Sequence, residues 1–459
     1  MNEMIQNRRE FHKFAETGWN EIRTSARIAE ILEAIGVPTI LMGKDAVCVE
    51  TLRPPMELSK QRREQNMQRA LRQGARKDLV EKTDGYPGVA AILDTKRPGP
   101  VIAFRFDIDC LPYEEECRPE DRAITEDYRS VNPSCVHACG HDGHTAIGLE
   151  LARRVMSRFS DYCGVMKLFF QPAEETTLGA QSMVDKGLLD DADYFLAVHL
   201  ALSARNVPLP SHTIACGVRD FLSNRRLDVT FHGKAAHPCG AAQEGRNALL
   251  AACSAALNLH AIAPHEKGLS RVNVGKIQGG VCSNTIAPAC TISLEYRGQY
   301  REVADYLHER VTDILDGAAK SYGLTYTYVD HGEVPAGCSD FAMMDLVQEE
   351  ARQIPWFEKI YYEGNLGGTD DAAVMMNRVQ ENGGLGVYIG IGTDVLGPLH
   401  NPRFDFDESC LPAAAELLDR LIRRLDRDHQ ARKKVGFADQ IFSGRLSCYS
   451  GNIETIFPT

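Results

Sequence analysis

The stretch VHACGHDGHTA, residues 136–146, places three histidines, one cysteine and one aspartate within eleven positions. Thiolate, imidazole and carboxylate groups form a mixture of donors that first-row divalent metals accept. An apolar run ending in aspartates precedes the stretch, and a helical pattern over 145–158 follows it. The order of strand, polar turn and helix is typical of an α/β domain.

Strand-like apolar runs alternate with helical patterns on both sides of this stretch. Each run is closed by polar residues, and the four clearest are PVIAFRFDID (100–109), GVMKLFFQPAEE (164–175), DYFLAVHL (193–200) and GVYIGIGTD (386–394). The spacing of apolar residues predicts helices over 8–36, 145–158 and 179–188. Strands that alternate with helices predict an α/β/α domain around a mixed, largely buried central sheet.

Residues 223–332 follow a different pattern. A strand, a helix, two strands, a second helix and a last strand succeed one another there. This β-α-β-β-α-β order is the ferredoxin-like α+β arrangement. We therefore predict that an inserted domain over 223–332 interrupts the α/β domain. The α/β domain then comprises 1–222 and 333–430, and a polar tail follows over 431–459.

The composition excludes several classes of protein. Hydrophobic residues make up 44% and charged residues 25% of the 459 residues, the ordinary balance of a globular protein. The formal net charge of −12 argues against a nucleic-acid binder. No apolar run reaches the length of a membrane span and no apolar leader opens the sequence, so we expect a cytoplasmic protein without a membrane partner. Fourteen cysteines without close C-x-x-C pairs fit reduced thiols.

One local segment is basic, SKQRREQNMQRALRQGARK at 59–77. Its apolar residues Met67 and Leu71 lie four positions apart, which is the spacing of one face of a helix. Charge runs are usually solvated faces of such helices. The segment therefore favours an exposed helix over an anion-binding site.

Polar side chains lie at or just beyond the ends of the predicted strands, where ligands bind in open α/β sheets. A histidine in such a place is more often a hydrogen-bonded structural residue than a ligand, so each position alone is a weak signal. Several donors at the strand ends of one sheet favour a metal site, in combination with the cysteine and histidines of the opening stretch. The donors are Asp107, Asp109, Glu174, Glu175, His199, His400, Cys139 and His141.

The adjacent pair Glu174 and Glu175 is the most informative of these positions. A hydrolytic metal site needs one carboxylate to hold the ion and another, off the metal, to take a proton from water. A solvated acidic turn would explain the pair equally simply. The pair directly follows the apolar run VMKLFF and Pro172, however, which places it at the expected mouth of the sheet.

Five motifs make the resemblance to a known family specific. RFDIDCLP, HACGHDGHTA, FFQPAEE, AVHL and LHNPRFDFDE occur in the order and approximate spacing of the M20 metallopeptidases, over residues 8–425. The chain resembles their amidohydrolase branch of aminoacylases, hippurate hydrolases and auxin-conjugate hydrolases. RREFHKFAETGWNEIRT, the basic segment near 57–82 and TDDAAVMM at 369–376 are most similar to the hydrolases of p-aminobenzoyl-glutamate. The resemblance implies a metal-dependent hydrolase that cleaves the amide bond of an N-acyl amino acid, with p-aminobenzoyl-glutamate as the first candidate substrate.

The resemblance also implies a site with two divalent ions, Mn²⁺ or Zn²⁺. The positions that match the ligands of the family are Cys139, His141, Glu175, His199 and His400, with Cys139 bridging the ions. Glu174 matches the general base, and Asp109 matches the aspartate that orients a ligand. His137 and His144 match motif positions without a ligand role and are expected to support the structure.

The inserted domain resembles the lid and dimerisation domain of the family. HGKAAHPCG places His237 where relatives supply a side chain from the partner subunit to stabilise the oxyanion on the scissile carbonyl. By the same resemblance, Asn284 and Arg297 contact the substrate, and the planar guanidinium of Arg297 suits a carboxylate. The resemblance implies a dimer; a homodimer is expected, and a related but non-identical subunit is the other partner considered.

Two alternatives to this interpretation differ in kind. The first keeps the chemistry but makes the substrate an aminoacylase-type or hippurate-type N-acyl amino acid. The second is a catalytically silent binding module on the same fold, against which the retained Glu174 argues. A structural zinc protein is excluded because the donors are scattered along the chain instead of clustered in short C-x-x-C units. Where relatives carry Ser-Glu-Asp, this chain has Thr369-Asp370-Asp371, so the middle carboxylate is one methylene shorter.

Overall fold

The computed structural model describes residues 2–52 and 59–435 and has a mixed α/β fold, as predicted. Its helices are α1 Glu3–Lys13, α2 Ile22–Ile35, α3 Lys60–Arg72, α4 Lys77–Thr83, α5 Arg122–Thr125, α6 His141–Ser157, α7 Gly179–Val184, α8 Ala248–His260, α9 Arg301–Ser321, α10 Phe341–Ala351, α11 Ala372–Glu381 and α12 Leu411–Val435. Its strands are β1 Thr39–Met42, β2 Val89–Asp94, β3 Val101–Asp107, β4 Val165–Gln171, β5 Tyr194–Leu200, β6 Ser203–Ala204, β7 Val207–Pro208, β8 Thr213–Ala215, β9 Asn224–His232, β10 Ser270–Gly279, β11 Ala289–Gly298, β12 Thr325–Val334, β13 Lys359–Tyr361 and β14 Leu385–Ile391.

The central sheet has eight strands in the order β1-β2-β4-β3-β5-β14-β8-β13. Four neighbouring strands in its middle, β4, β3, β5 and β14, run parallel to one another. The pairs β1–β2, β2–β4 and β14–β8 are antiparallel, so the sheet is mixed. The parallel strands therefore end at the same edge, which is where an open α/β sheet binds ligands.

Helices cover both faces of the central sheet. Helix α6 packs against β3, β4 and β5 with α1, α2 and α12 around it, and α7 and α11 lie on the other face. All seven residues of β5 are buried, as expected of a strand covered on both sides. Gly148 lets α6 approach β3 closely, because a Cβ at that position would lie 2.6 Å from Cδ2 of Phe106. This close packing fixes the start of α6 over the ends of the parallel strands.

A second sheet of four antiparallel strands has the order β10-β11-β9-β12. Helices α8 and α9 pack on it and enclose a separate hydrophobic core, to which Val229, Leu259 and Ile292 belong. The chain order β9-α8-β10-β11-α9-β12 is the predicted β-α-β-β-α-β pattern. We call this unit, Asn224–Val334, the lid sheet; the domain bounds 223 and 332 stay a prediction.

The continuous helix predicted over 8–36 is wrong. The chain forms α1 and α2 instead, and the loop between them contains Trp19 with a φ of 63°. The carboxylate of Glu16 accepts the backbone N–H of Thr24 at 2.8 Å and thereby caps the first turn of α2. The apolar spacing continues through the loop, so periodicity alone could not reveal the break. Helix α6 also begins four residues before the predicted 145, so the opening stretch ends on the helix itself.

The basic segment forms helix α3, as predicted, but its inner side is not solvated. Asn66 and Ala70 are buried, and the Arg69 guanidinium donates to Glu16 Oε1 at 2.6 Å. Residues 53–58, which include the first two residues of the insert near 57–82, and residues 436–459 of the predicted tail lie outside the described residues. Within the described ranges no helix combines the length and the apolar character that crossing a membrane requires.

Candidate metal centre

The parallel strands bring the predicted donors to one edge of the sheet. Strand β3 leads into Asp107 and Asp109, β4 leads into Glu174 and Glu175, and His199 is the penultimate residue of β5. Cys139 and His141 enter from the start of α6, and His400 enters from the loop after β14. Five chain segments that are distant in sequence therefore meet at the carboxyl ends of neighbouring strands.

Cys139 lies at the centre of the donor set. Its Sγ is 3.6 Å from Nε2 of His199 and 3.5 Å from Nε2 of His400. Two groups of three donors share it, because the ligand atoms of Cys139, His141 and His199 lie within 4.8 Å of one another, and so do those of Cys139, Glu175 and His400. Cys139 is therefore the donor that the two groups have in common.

Two buried donor atoms in this cluster have no hydrogen-bond partner among the described residues. They are Nε2 of His141 and Oε1 of Glu175, which lie 3.9 Å apart. A buried polar group without a partner costs about 1–3 kcal/mol, so native proteins satisfy such groups with water, an ion or a ligand. A divalent cation accepts both an imidazole nitrogen and a carboxylate oxygen. The residues present therefore fit a metal centre.

Asp109 orients the ring of His141 through the ring nitrogen that faces away from the cluster. Its Nδ1 lies 3.0 Å from the backbone oxygen of Asp109 and 3.2 Å from Oδ1 of the same residue, so Nε2 points into the cluster. The other carboxylate oxygen of Asp109 accepts the backbone N–H of Glu175 at 3.0 Å. Asp109 thus orients two of the predicted ligands, as a carboxylate behind a metal-binding histidine does.

His199 is oriented in the same way by the backbone. Its Nδ1 donates to the carbonyl oxygen of Leu200 at 2.7 Å, so Nε2 faces Cys139 with a free lone pair. Burial, together with the neighbouring His144, holds the pKa of His199 well below its ordinary value. The imidazole is therefore neutral, which is the form that binds a metal.

Without a cation, burial favours the protonated forms of Cys139 and Glu175. Burial, with Glu175 and Glu174, raises the pKa of the Cys139 thiol well above its ordinary value. Burial raises the pKa of Glu175 to about 7, against the opposing effect of His141. A bound cation reverses this preference and releases protons as it binds.

Glu174 lies beside this cluster and is buried. Its Oε2 is 3.9 Å from Nε2 of His141. Burial, then the charges of Asp370 and Glu175, raises the pKa of Glu174 well above its ordinary value. A carboxyl group with a raised pKa next to a metal centre is suited to exchanging protons with a reacting group near neutral pH.

The structure contains a buried charge cluster that the sequence interpretation missed. The guanidinium of Arg105 lies 2.6 Å from Asp107, 2.9 Å from Asp370 and 3.1 Å from Asp371. The Tyr388 hydroxyl donates to Asp370 at 2.5 Å, so the shorter side chain at that position still reaches two partners. One signal was available in the sequence, because Arg105 interrupts the apolar run VIAFRF of a buried strand.

The two remaining histidines of the opening stretch differ. Nδ1 of His144 lies 2.5 Å from Oδ1 of Asp107, and its Nε2 accepts the backbone N–H of Leu200 at 2.9 Å. Both ring nitrogens are thus engaged, which agrees with the supporting role expected of His144. Within the described part of the chain, both ring nitrogens of the buried His137 lack a hydrogen-bond partner, and burial lowers its pKa to about 3.

The three predicted residues of the lid sheet have other contacts. His237 is exposed, and its Nδ1 accepts the backbone N–H of Gly240 at 3.0 Å. Asn284 is exposed and accepts from the thiol of Cys282. Arg297 donates to Glu295 at 3.1 Å and to Thr369 Oγ1 at 3.4 Å. In the part of the chain that the structure describes, His237 belongs to none of the donor groups of the metal centre.

Comparisons with known proteins identify the family of the chain. Residues 103–424 match the model of the family described as peptidase family M20/M25/M40. The chain is 41% identical over 420 residues to an indole-3-acetyl-aspartic acid hydrolase of Enterobacter agglomerans, over 91% of this chain and 94% of that protein. It is 40% identical over 416 residues to one of the subunits of p-aminobenzoyl-glutamate hydrolase from Escherichia coli, over 90% of this chain and 93% of that one.

A solved structure with the same fold supports the assignment. The aminobenzoyl-glutamate utilization protein of Klebsiella pneumoniae is 36% identical and superposes with a TM-score of 0.73, over 92% of this chain and 95% of that one. The family model spans the residues of the centre from Asp107 to His400. The chain therefore belongs to the M20/M25/M40 peptidase family, as a metal-dependent amidohydrolase of N-acyl amino acids.

Proposed function

We propose that the protein hydrolyses the amide bond between an aromatic acyl group and an acidic amino acid, and that p-aminobenzoyl-glutamate is its substrate. This proposal rests on the substrates for which the two relatives near 40% identity are named. Both are named for a substrate that joins an aromatic acyl group to aspartate or glutamate. Indole-3-acetyl-aspartate is the second candidate, because the relative named for it is as similar as the other.

Five residues would hold the metal ions, and their arrangement around a shared thiol supports two ions per chain. Bound divalent ions lower the pKa of a coordinated water and polarise a carbonyl oxygen. A thiolate ligand favours Zn²⁺, whereas the imidazole and carboxylate ligands also accept Mn²⁺. The proposed ligands are Cys139, His141, Glu175, His199 and His400.

Glu174 performs the proton transfers in the proposed reaction. Its carboxylate takes a proton from the attacking water and then gives that proton to the nitrogen of the leaving amino acid. Asp109 keeps His141 and Glu175 in place throughout, through the hydrogen bonds described above. Because Glu174 is buried and shielded from bulk water, the proton it takes up remains available for the leaving group.

His237, Asn284 and Arg297 are proposed to act on the substrate. His237 of the partner subunit donates a hydrogen bond to the oxyanion that develops on the scissile carbonyl. Arg297 binds a carboxylate of the amino-acid part, for which its planar guanidinium is suited. The exposure of His237 supports a role toward a second chain, because an exposed side chain is accessible to a partner.

The proposed partner is a second copy of this chain, bound through the lid sheet. In the described part of the chain, strand β10 is an edge strand of that sheet, so one of its sides has no neighbouring strand. Leu250 and Leu257 are exposed seven residues apart on α8, and therefore lie on one face of the helix. Ile277 in β10 and Val281, two residues beyond the end of the strand, are also exposed. Four exposed apolar side chains beside a free edge are typical of a dimer interface.

Metal content and substrate range are expected to be linked. Protein stripped with a chelator and reloaded with Mn²⁺ or Zn²⁺ should bind two ions per chain and then release glutamate from p-aminobenzoyl-glutamate. The matched control is p-aminobenzoyl-glycine, which has the same acyl group and no side-chain carboxylate. Two ions without hydrolysis of any aromatic N-acyl amino acid would refute the proposed substrate class, and a protein that binds no ion would refute the metal centre.

A mixture of two inactive variants is expected to regain activity. In a mixed dimer of His237→Ala and Glu174→Gln chains, one site combines an intact Glu174 with an intact His237 of the partner subunit. Half of the dimers are mixed and each has one such site, so coexpression should restore about a quarter of the wild-type rate. Adding Leu257→Glu to both chains should abolish the recovery by separating them. Recovery that fails while the dimer persists means that His237 acts within its own chain.

A further inference from the structure

The turn that carries the proposed general base has a strained backbone. Ala173 directly precedes Glu174 and has a φ of 57°, and Thr177 has a φ of 63°. Left-handed conformations cost residues with a Cβ atom about 1–2 kcal/mol each. Such conformations persist only where the surroundings hold them in place. Contacts from neighbouring segments must therefore keep this turn, residues 172–177, in its conformation.

The loop between α1 and α2 packs directly on the turn. A Cβ at Gly18 would lie 3.0 Å from Cγ2 of Thr176 and 3.2 Å from Cα of Ala173, so only glycine allows this approach without displacement. Trp19 is fully buried and forms a small apolar cluster with Ala173. Two left-handed residues from different parts of the chain, Trp19 and Ala173, thus lie against each other.

Glu21 adds a hydrogen bond to this packing. Its Oε1 accepts the backbone N–H of Ala173 at 2.7 Å, and the whole side chain is buried. Burial and the nearby Asp109 raise the pKa of Glu21 well above its ordinary value, so the group is a neutral acid. A neutral acceptor at this position holds the peptide that leads into Glu174.

The two glutamates of the turn are held from different sides. Asp109 accepts the backbone N–H of Glu175, which fixes the proposed metal ligand. Glu21 accepts the N–H of Ala173, which lies on the other side of Glu174. Loss of the bond from Asp109 should therefore disturb metal binding, and loss of the bond to Glu21 should disturb the aim of Glu174.

We infer that Glu21 is a positioning residue, which holds Ala173 in its left-handed conformation and thereby aims the carboxyl group of Glu174 at the reacting water. The inference rests on the proposed function, because it assigns Glu21 a role in the proton transfer. For this role, the side chain at position 21 must be long enough to place an acceptor oxygen at the backbone N–H of Ala173. The role does not require that the side chain be an acid.

Two conservative variants distinguish the effect of side-chain length at position 21 from the effect of its acidic group. Glu21→Gln keeps an acceptor oxygen at the same distance and removes the acid, and its activity should stay within about two-fold of wild type. Glu21→Asp keeps the acid but is one methylene too short to reach Ala173. Its kcat should fall about 10- to 100-fold, since a displacement of about 1 Å can cost 100-fold. KM and the number of bound ions should remain those of wild type.

The matched control is Glu350→Asp, which shortens another buried glutamate on the distant helix α10 and should leave kcat unchanged. A kcat of Glu21→Asp equal to wild type would overturn the inference. Equal losses in Glu21→Gln and Glu21→Asp would overturn it as well, because reach would then not be the relevant property. A loss of bound metal in Glu21→Asp would likewise contradict it.

Amide hydrogen exchange tests the inference independently of activity. The peptide that contains residues 173–177 should exchange faster in Glu21→Asp than in Glu21→Gln or Glu350→Asp, because the Ala173 N–H loses its acceptor. If the wild-type protein hydrolyses no N-acyl amino acid, the proposed function fails and the exchange data decide whether Glu21 holds the turn. Unchanged exchange in Glu21→Asp would overturn the inference on its own.

Discussion

Glu174→Gln is expected to lower kcat by about two to four orders of magnitude and to leave the fold and the metal content unchanged. The amide of glutamine fills the same volume but cannot take a proton from water or return one to the leaving nitrogen. Glu174 is buried beside the cluster, and the donors grouped around Cys139 remain intact without it. Steady-state kinetics and metal analysis of the same preparation measure the two parts of this prediction.

Glu175→Gln is the matched control, since it makes the same change at the next residue. Oε1 of Glu175 has no hydrogen-bond partner among the described residues and faces the cluster, so its loss should reduce the number of bound ions. A Glu174→Gln protein that binds fewer ions than wild type, with a Glu175→Gln protein that binds all of them, would reverse the two assignments. The pair of variants therefore tests whether Glu174 is the general base and Glu175 is the metal ligand.

The sequence could predict which residues meet at the sheet edge because the geometry of parallel strands is general. Strand runs ending in Asp109, Glu174 and His199 had to place these side chains at one edge once β3, β4 and β5 were neighbours. His400 follows a longer loop, and from the residues alone it was one of several polar side chains beyond a strand end. Its ligand role came from the resemblance to the family, and the structure places its Nε2 3.5 Å from Cys139 Sγ.

Other features depend on contacts that no local pattern records. The break between α1 and α2 is stabilised by Glu16, which reaches Thr24 eight residues along the chain. The aspartates at 370 and 371 are paired with Arg105, about 265 residues earlier, and charge alone would have placed them on a surface. Hydrophobic periodicity is silent about such long-range polar pairs, because each partner looks unfavourable in the core until the other is known.

Arg105→Leu is expected to destabilise the protein by about 3–5 kcal/mol, the cost of breaking a buried ion pair by removing one partner. The change leaves Asp370 and Asp371 buried without the charge of Arg105, and it removes one of the partners of Asp107. Arg153→Leu is the control, because Arg153 is about half exposed and its partner Glu150 keeps a second ion pair with Arg154. Losing such a half-exposed pair should cost about 0–1 kcal/mol. Urea denaturation of both variants measures the difference. Equal midpoints for the two variants would show that the buried cluster contributes no more than a surface pair.

The cost of Arg105→Leu should depend on pH in a predictable direction. Burial raises the pKa of Asp371 to about 7 even while Arg105 opposes it, so losing Arg105 raises that pKa further. The folded variant then binds more protons than the unfolded chain near neutral pH, and its stability falls as the pH rises. The deficit relative to wild type should therefore be largest at about pH 8 and shrink toward pH 5. Adding Asp371→Asn to Arg105→Leu removes one of the unpaired charges and should restore part of the stability at pH 8. A deficit independent of pH would instead indicate that the lost packing of the guanidinium, and not the unpaired carboxylates, causes the destabilisation.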